Sequence, residues 1–542
     1  MMVTVKKRTD LFAIAAVCLF LVATAAPALG QESRPTYIYD MSFDRSGFTT
    51  VEVTYNSGLA GSGSSWVAVP GNFTETVAET LKGATTSMKR VPYRVGQDGT
   101  VHPFYDNLTF SYVSPDEPFS MRITYNMTQG AMIVEPNGFF YSPQIGVPTS
   151  ARVEATLTLP DGVETLDEAA PTPTQVERLG SRVEMSFSPD TESRIAVTFT
   201  VSWPKQTSYV QEGIVEGEFP TRYTDLGARM AALYKQAIPL MDNLFNKTMD
   251  RISMRFFIPL SLQQLGIGGY TPIDPSTFET GAIYLNLFYF RFLSGTTETI
   301  AMHELTHQYL ARLGVTTDLL WVHEGLANYI AVQMGNPLGY DVTSTDADLE
   351  AAASELKGNY GMIQSWRPGG TTTSLFEYYS ASYKVFKTLG EQYGGLSLYS
   401  SFFRGLSKLK DGLRSTNVAV YQLSVAAGAD LVPEFTRWGF EVVDLSNLNA
   451  QLAKLRAEVA WYGPVLPFRD QALSHLELAE RSLDSSPEVA LGHITIAAFY
   501  IETIPMIIGG ILLVFILLAA IAAVIRRRSR RKPTPFGSQI GS

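Results

Sequence analysis

An α+β fold is expected for this chain. An antiparallel β-sandwich-like domain comes first, a mixed strand-and-helix domain follows, and a helical segment ends in a single membrane-spanning helix. Three observations predict this. Between about residues 35 and 205, apolar residues alternate with polar ones at period two. From residue 208 the apolar spacing changes to three and four, the period of a helix face. Residues 504–525 carry no charge, and Arg526-Arg527-Arg528 follows at once.

In the first region, Thr50-Val51-Glu52-Val53-Thr54-Tyr55 alternates strictly, as do Met121-Arg122-Ile123-Thr124-Tyr125 and Ala155-Thr156-Leu157-Thr158-Leu159. Successive side chains of a strand point to opposite faces, so each run offers one face to a core and one to water. Turn residues such as Pro160-Asp161-Gly162 separate the runs. Short strands with regular breaks read as a sandwich or related antiparallel domain over residues 35–205. It holds no catalytic constellation, and His102 reads as a surface or loop residue.

Residues 208–444 read as a second, α+β domain. Residues 221–245 suit a helix and residues 254–259 a strand. A loop with Gly266, Gly268 and Gly269 is expected near a cleft. Gly281-Ala282-Ile283-Tyr284-Leu285-Asn286 alternates in bulk and is expected to be the edge strand of that cleft.

His303-Glu304-Leu305-Thr306-His307 comes next, and it is the most informative segment of the chain. On a helix, positions i and i+4 share a face, so His303 and His307 can address one ion. Glu304 lies about 100° round the helix from His303, beside such an ion rather than on it. Thr296 or Ser294 is expected to cap the helix and Gly314 to end it. Trp321-Val322-His323-Glu324-Gly325-Leu326-Ala327 follows, and Glu324 offers a third ligand from a second helix. Two imidazoles and one carboxylate leave a fourth zinc position open, as in a catalytic site. One Zn2+ per chain is expected, with Glu304 as the general base that relays a proton from water to a leaving amine. Three of the six histidines fall in this segment. The third, His323, diverges from Glu324 and suits packing or a substrate-side role. Asn328, four residues past Glu324, suits either support of a histidine ligand or capping.

These motifs resemble the gluzincin metallopeptidases, with HExxH plus a downstream glutamate. The second element is similar to the W-x-x-E-G-x-A signature of aminopeptidase-N-like and peptidase MA-like proteins. The resemblance covers about residues 281–383. It implies a thermolysin-like catalytic domain, His303, His307 and Glu324 as zinc ligands, and Glu304 as base. It also implies a tyrosine that donates to the tetrahedral intermediate. Tyr379 is the best positional match, with Tyr378 and Tyr383 as competitors, although Ala381-Ser382-Tyr383 stands where the family has Lys-Gly-Ala. The family's G-x-M-E-N glutamate, which anchors a substrate amine, has no counterpart in residues 281–286, and Glu279 is out of register. Aminopeptidase and endopeptidase activity both stay open.

The two ends set an expected location. Residues 1–30 have the form of a secretory signal peptide: Lys6, Lys7 and Arg8, then an apolar run, then Ala28-Leu29-Gly30. Residues 445–500 carry amphipathic spacing at Leu445, Leu448, Leu452, Leu455 and Val459, broken at Gly463-Pro464. They read as a helical hairpin or stalk, or as the completion of the second domain. Residues 504–525 amount to about 33 Å of helix, enough to span a bilayer. The basic tail, residues 526–542, is expected in the cytoplasm and the rest outside.

The formal net charge is −10, and the basic cluster lies on the far side of the membrane from the ectodomain. This argues against a nucleic-acid partner. The only cysteine, Cys18, lies in the leader, so no disulfide and no thiol chemistry are expected in the mature chain. Sequons begin at Asn72, Asn107, Asn126 and Asn246. The expected partners are a peptide or protein substrate and the membrane. No oligomeric state follows from the sequence. The leading expectation is a membrane-anchored zinc metallopeptidase. A catalytically inactive surface receptor or scaffold on the same fold competes with it, and hydrolysis of a non-peptide bond is third.

Overall fold

The structure, a computed structural model, describes residues 34–71, 75–95, 100–291, 295–370, 374–483 and 486–530. The expected leader with Cys18, the sequon at Asn72, the candidate cap Ser294 and the basic tail beyond residue 530 lie outside the described residues.

Residues 36–201 form layered sheets around one apolar core. The largest sheet has seven strands. Its order is Gln175–Leu179, Arg182–Phe187, Arg152–Leu159, Thr36–Phe43, Thr49–Asn56, Ser120–Met127 and Thr76–Lys82. It is not purely antiparallel, because Thr36–Phe43 runs parallel to Arg152–Leu159, Tyr37 opposite Val153. A parallel neighbour needs a long crossover, and more than a hundred intervening residues supply it by building the other sheets. One of those has four strands and another three. Alternation does place the core: Val51, Val53 and Tyr55 are buried while Thr50 is exposed. Tyr37, Phe110, Phe140 and Phe199, drawn from different sheets, meet in that core. His102 is a correction to the sequence reading. It lies on the strand Thr100–Ser114, half-buried, with Nδ1 accepting from the Phe104 amide at 3.1 Å.

The second region is built on a five-stranded sheet. Its order is Thr207–Glu212, Val215–Pro220, Ile252–Phe257, Ile283–Asn286 and Gly269–Tyr270. The last pair is antiparallel, with Tyr270 opposite Tyr284. This corrects the expected edge strand. Ile283–Asn286 has a neighbour on each side, and the glycine-rich run supplies the outermost strand. Four bulky residues in alternation mark a strand but say nothing about which of its edges is covered.

Helices Thr224–Phe245 and Thr296–Arg312 pack against this sheet, Leu320–Gln333 packs on Thr296–Arg312, and Leu375–Tyr393 packs on Leu320–Gln333. The helix Thr296–Arg312 is buried on nearly every side. Tyr234 donates to the Ala301 carbonyl at 2.8 Å, and Tyr309 donates to Asp242 at 2.6 Å. Its cap is Gly295, in a left-handed conformation, rather than Thr296, which is the first helical residue. Glu298 accepts the Gly295 amide at 3.1 Å, satisfying one of the free donors at that end. Gly314, at φ +74°, follows the other end.

Three further helices, Leu448–Tyr462, Arg469–Ser482 and Pro487–Ala498, share the same apolar core as the second region, with no break in packing at residue 445. Leu448, Leu452, Leu455 and Val459 are all buried. Ser415 also donates to Glu488 at 2.5 Å. The third helix continues through residues 499–503 into Ile504–Arg530. The stretch Pro487–Ser529 is long and apolar enough to cross a membrane, and its most apolar window is wholly unburied by the rest of the chain.

Candidate metal centre

Three side chains meet in one place. The helix Thr296–Arg312 presents His303 and His307 on one face, and the helix Leu320–Gln333 presents Glu324 against them. His303 Nε2 lies 3.1 Å from His307 Nε2 and 3.0 Å from Glu324 Oε2. Glu324 Oε2 is 3.6 Å from His307 Nε2. A tetrahedral zinc shell with bonds of about 2.0–2.1 Å has edges of roughly 3.3 Å. The three observed separations bracket that length.

Gly325 lets a third helix, Leu375–Tyr393, pack closely beside Glu324. A Cβ there would stand 2.5 Å from the Phe386 ring and 2.7 Å from the Ser382 carbonyl. Any larger residue next to Glu324 would push apart the helices Leu320–Gln333 and Leu375–Tyr393.

Two hydrogen bonds behind the histidines decide which nitrogen carries the proton. His303 Nδ1 donates to Asn328 Oδ1 at 2.8 Å. His323 Nε2 donates to the Val315 carbonyl at 3.0 Å, so its Nδ1 is an acceptor. That acceptor faces His307 Nδ1 at 3.4 Å, a long hydrogen bond donated by His307. The Nε2 atoms of His303 and His307 therefore converge on a carboxylate oxygen, hydrogen-bonding it when protonated, and in the Nδ1–H tautomers each would offer a lone pair to a cation in place of that proton. Three electron-rich atoms turned inward suit a shared cation, and a nitrogen-and-oxygen donor set suits zinc. Asn328 takes the supporting role that sequence left open. His323 does not face the ion and holds His307 from behind.

The electrostatics follow from burial and proximity. Burial alone would raise Glu324, but the His307 charge and hydrogen bonds from both histidines hold it well below the usual carboxylate range. Burial works against a charge on His303, yet the hydrogen bond and charge of Glu324 raise that imidazole. Burial and the neighbouring His307 push His323 down to about 4, so it is neutral, as its acceptor role requires. Glu304 is 4% exposed, and burial pushes it above the ordinary range against the pull of His307 and His303.

Glu304 touches a segment whose role sequence reading did not find. Thr271 Oγ1 donates to Glu304 Oε2 at 3.0 Å and to the Glu304 carbonyl at 3.1 Å. A Cβ on Gly269 would stand 2.8 Å from Glu304 Cγ, so only glycine lets the outermost strand lie against this carboxylate. The glycines were visible in the sequence, but nothing singles out Thr271.

Tyr379 stands at the site, its ring 6.4 Å from that of His303, edge-on to Trp366 at 5.2 Å. The charge on Glu324, then burial, raises its phenol, so it stays a donor. Tyr383 is excluded, because its hydroxyl is committed to Asp346. Tyr378 packs on Trp366 at 5.4 Å.

Asn328→Ala should weaken zinc binding by about 10–100-fold while the fold is retained, because it frees the tautomer and the ring of His303. Competition with a chromogenic chelator measures this, and an unchanged affinity would remove Asn328 from the centre.

No protein-family model matches this chain, and no curated protein matches it either.

Proposed function

We propose that this chain is a membrane-anchored zinc metallopeptidase, built on a thermolysin-like catalytic domain, that hydrolyses peptide bonds outside the cell. The observation that carries this reading is the inward convergence of His303 Nε2, His307 Nε2 and Glu324 Oε2 with a buried carboxylate, Glu304, beside them. Zinc bound there would acidify water and polarise the scissile carbonyl. Glu304 accepts the water proton and returns it to the leaving amine, and Thr271 holds its carboxylate in place. Tyr379 donates a hydrogen bond to the developing oxyanion.

The substrate backbone adds as one further strand along Gly269–Tyr270, the outermost strand beside Glu304. Neither that strand nor Ile283–Asn286 carries a carboxylate to bind a free amine, which favours internal cleavage. The helix Ile504–Arg530 anchors the chain, and Arg526, Arg527 and Arg528 put its carboxyl end in the cytoplasm.

The test uses the full chain in detergent. It should hold about one zinc and cut a peptide library, including peptides with blocked amino ends. Chelation should abolish cutting and added zinc should restore it. A chain that holds zinc yet cuts no peptide would overturn the assignment in favour of a non-peptide bond or a silent receptor.

A further inference from the structure

The turn between the helices Leu448–Tyr462 and Arg469–Ser482 presents an apolar face outward. Residues 459–468 carry no charge and include Trp461, Tyr462, Val465 and Phe468. Leu466 points inward and is buried, as are Val459 and Leu455 behind it. Trp461, Val465 and Phe468 point outward and are 81%, 78% and 54% exposed. Phe468 holds its position at φ +56°, a left-handed conformation that a bulky residue rarely adopts. Scattered exposed apolar residues need no explanation, but a run of this kind on one turn marks a contact.

Both sides of this turn are tied to the segment that leads into the membrane helix. Lys454 Nζ pairs with Glu502 Oε1 at 2.7 Å. The Phe468 ring lies 5.9 Å from that of Tyr500. Tyr500 and Glu502 stand four and two residues before Ile504, and Phe499 beside them is half exposed. The apolar turn is thereby continuous with the surface that enters the bilayer. Tryptophan, tyrosine and phenylalanine beside a basic residue, here Arg469, form the composition that settles at the boundary of headgroups and acyl chains.

We infer that the turn at residues 461–468 is a second membrane contact, seated in the lipid interface next to the entry of the Ile504–Arg530 helix. It adds a second footing beside the membrane helix, and so sets the attitude of the body that carries His303, His307 and Glu324 relative to the bilayer. The inference rests on that helix crossing the membrane, and not on the peptidase reading.

The experiment uses the full chain reconstituted in phosphatidylcholine vesicles, compared with vesicles whose acyl chains are brominated near the headgroup. Of the six tryptophans, Trp461 alone is exposed, and none lies in the membrane helix. The wild-type chain should lose emission in brominated vesicles, and W461F should lose none. Equal emission of the wild-type chain in both vesicles, in a chain that floats with them, overturns the contact. Dimming that depends on protein-to-lipid ratio rather than bromine assigns the turn to a second copy and also overturns it. A chain that fails to float overturns the membrane span itself, and the contact with it.

Discussion

Glu304→Gln should leave the zinc content of the purified chain unchanged and lower kcat by about 10²–10⁴-fold, the range for loss of a positioned acid–base group. Glutamine matches glutamate in shape, and its carbonyl oxygen can still accept from Thr271, so the contact seen at 3.0 Å survives. The residues proposed to hold the metal, His303, His307 and Glu324, are untouched. What is lost is the ability to accept a proton during attack and return it to the amine. KM should move little, because the proposed function has the outermost strand Gly269–Tyr270 and not Glu304 hold the substrate backbone. Metal analysis beside peptide turnover checks this. Turnover equal to the parent chain would show that Glu304 is not the base, and loss of zinc would show that the substitution had disturbed the shell instead.

Trp321→Ala should cost about 3–5 kcal/mol of stability, the range for a large aromatic removed from a core. Trp321 is fully buried. Its ring stacks on Phe386 at 5.5 Å and meets Phe440 at 5.3 Å and Phe435 at 5.9 Å, while Nε1 donates to Thr416 at 3.2 Å. It therefore joins the helix Leu320–Gln333 to three later parts of the chain, at Phe386, at Thr416 and at Phe435 with Phe440. Because it sits one turn ahead of Glu324, the same loss should reach the metal: Glu324 drifts and zinc affinity falls with the unfolding midpoint. Trp321→Phe, which keeps ring contacts and drops the hydrogen bond, should recover most of both. Denaturant midpoints with zinc titration measure the pair of effects. An alanine variant with parental zinc affinity would separate the tryptophan from the seating of Glu324.

Much of the site was legible because its information is local. The spacing of His303 and His307 needs only the 3.6-residue helix to bring both rings to one face. Glu324 was recognisable from its pattern with Trp321, Gly325 and Ala327, all three of which are buried. Tyr379 was identifiable but not separable from Tyr378 and Tyr383. The ring contact of Tyr379 with His303 and the hydrogen bond of Tyr383 to Asp346, 76 and 37 residues away in sequence, sort the three. His323 reads in the sequence as a packing or substrate-side residue, and its contact with His307 depends on the Val315 carbonyl, which no spacing rule reveals. Asn328 was one of two readings until its oxygen was found 2.8 Å from His303.

The edge of the sheet shows the same division. Ile283–Asn286 was read as a strand from its own residues, but its two neighbours come from residues 252–257 and 269–270. Strand pairing is settled between segments distant in the chain, and a two-residue strand such as Gly269–Tyr270 leaves almost no periodic trace. The parallel pairing of Thr36–Phe43 with Arg152–Leu159 escaped for the same reason.

What the sequence determined by itself is the one-dimensional part. It set the i, i+4 histidines, the acid that follows them, the period-two strands, and the uncharged run that makes Ile504–Arg530 long enough for a bilayer. Each depends on chemistry within a few residues along a helix or strand. Only the tertiary structure decided which strand borders Glu304, which groups stand behind each histidine, and that the turn at residues 461–468 packs beside Tyr500. Those outcomes depend on hydrogen bonds and ring contacts between segments tens to hundreds of residues apart, whose closure no local pattern encodes.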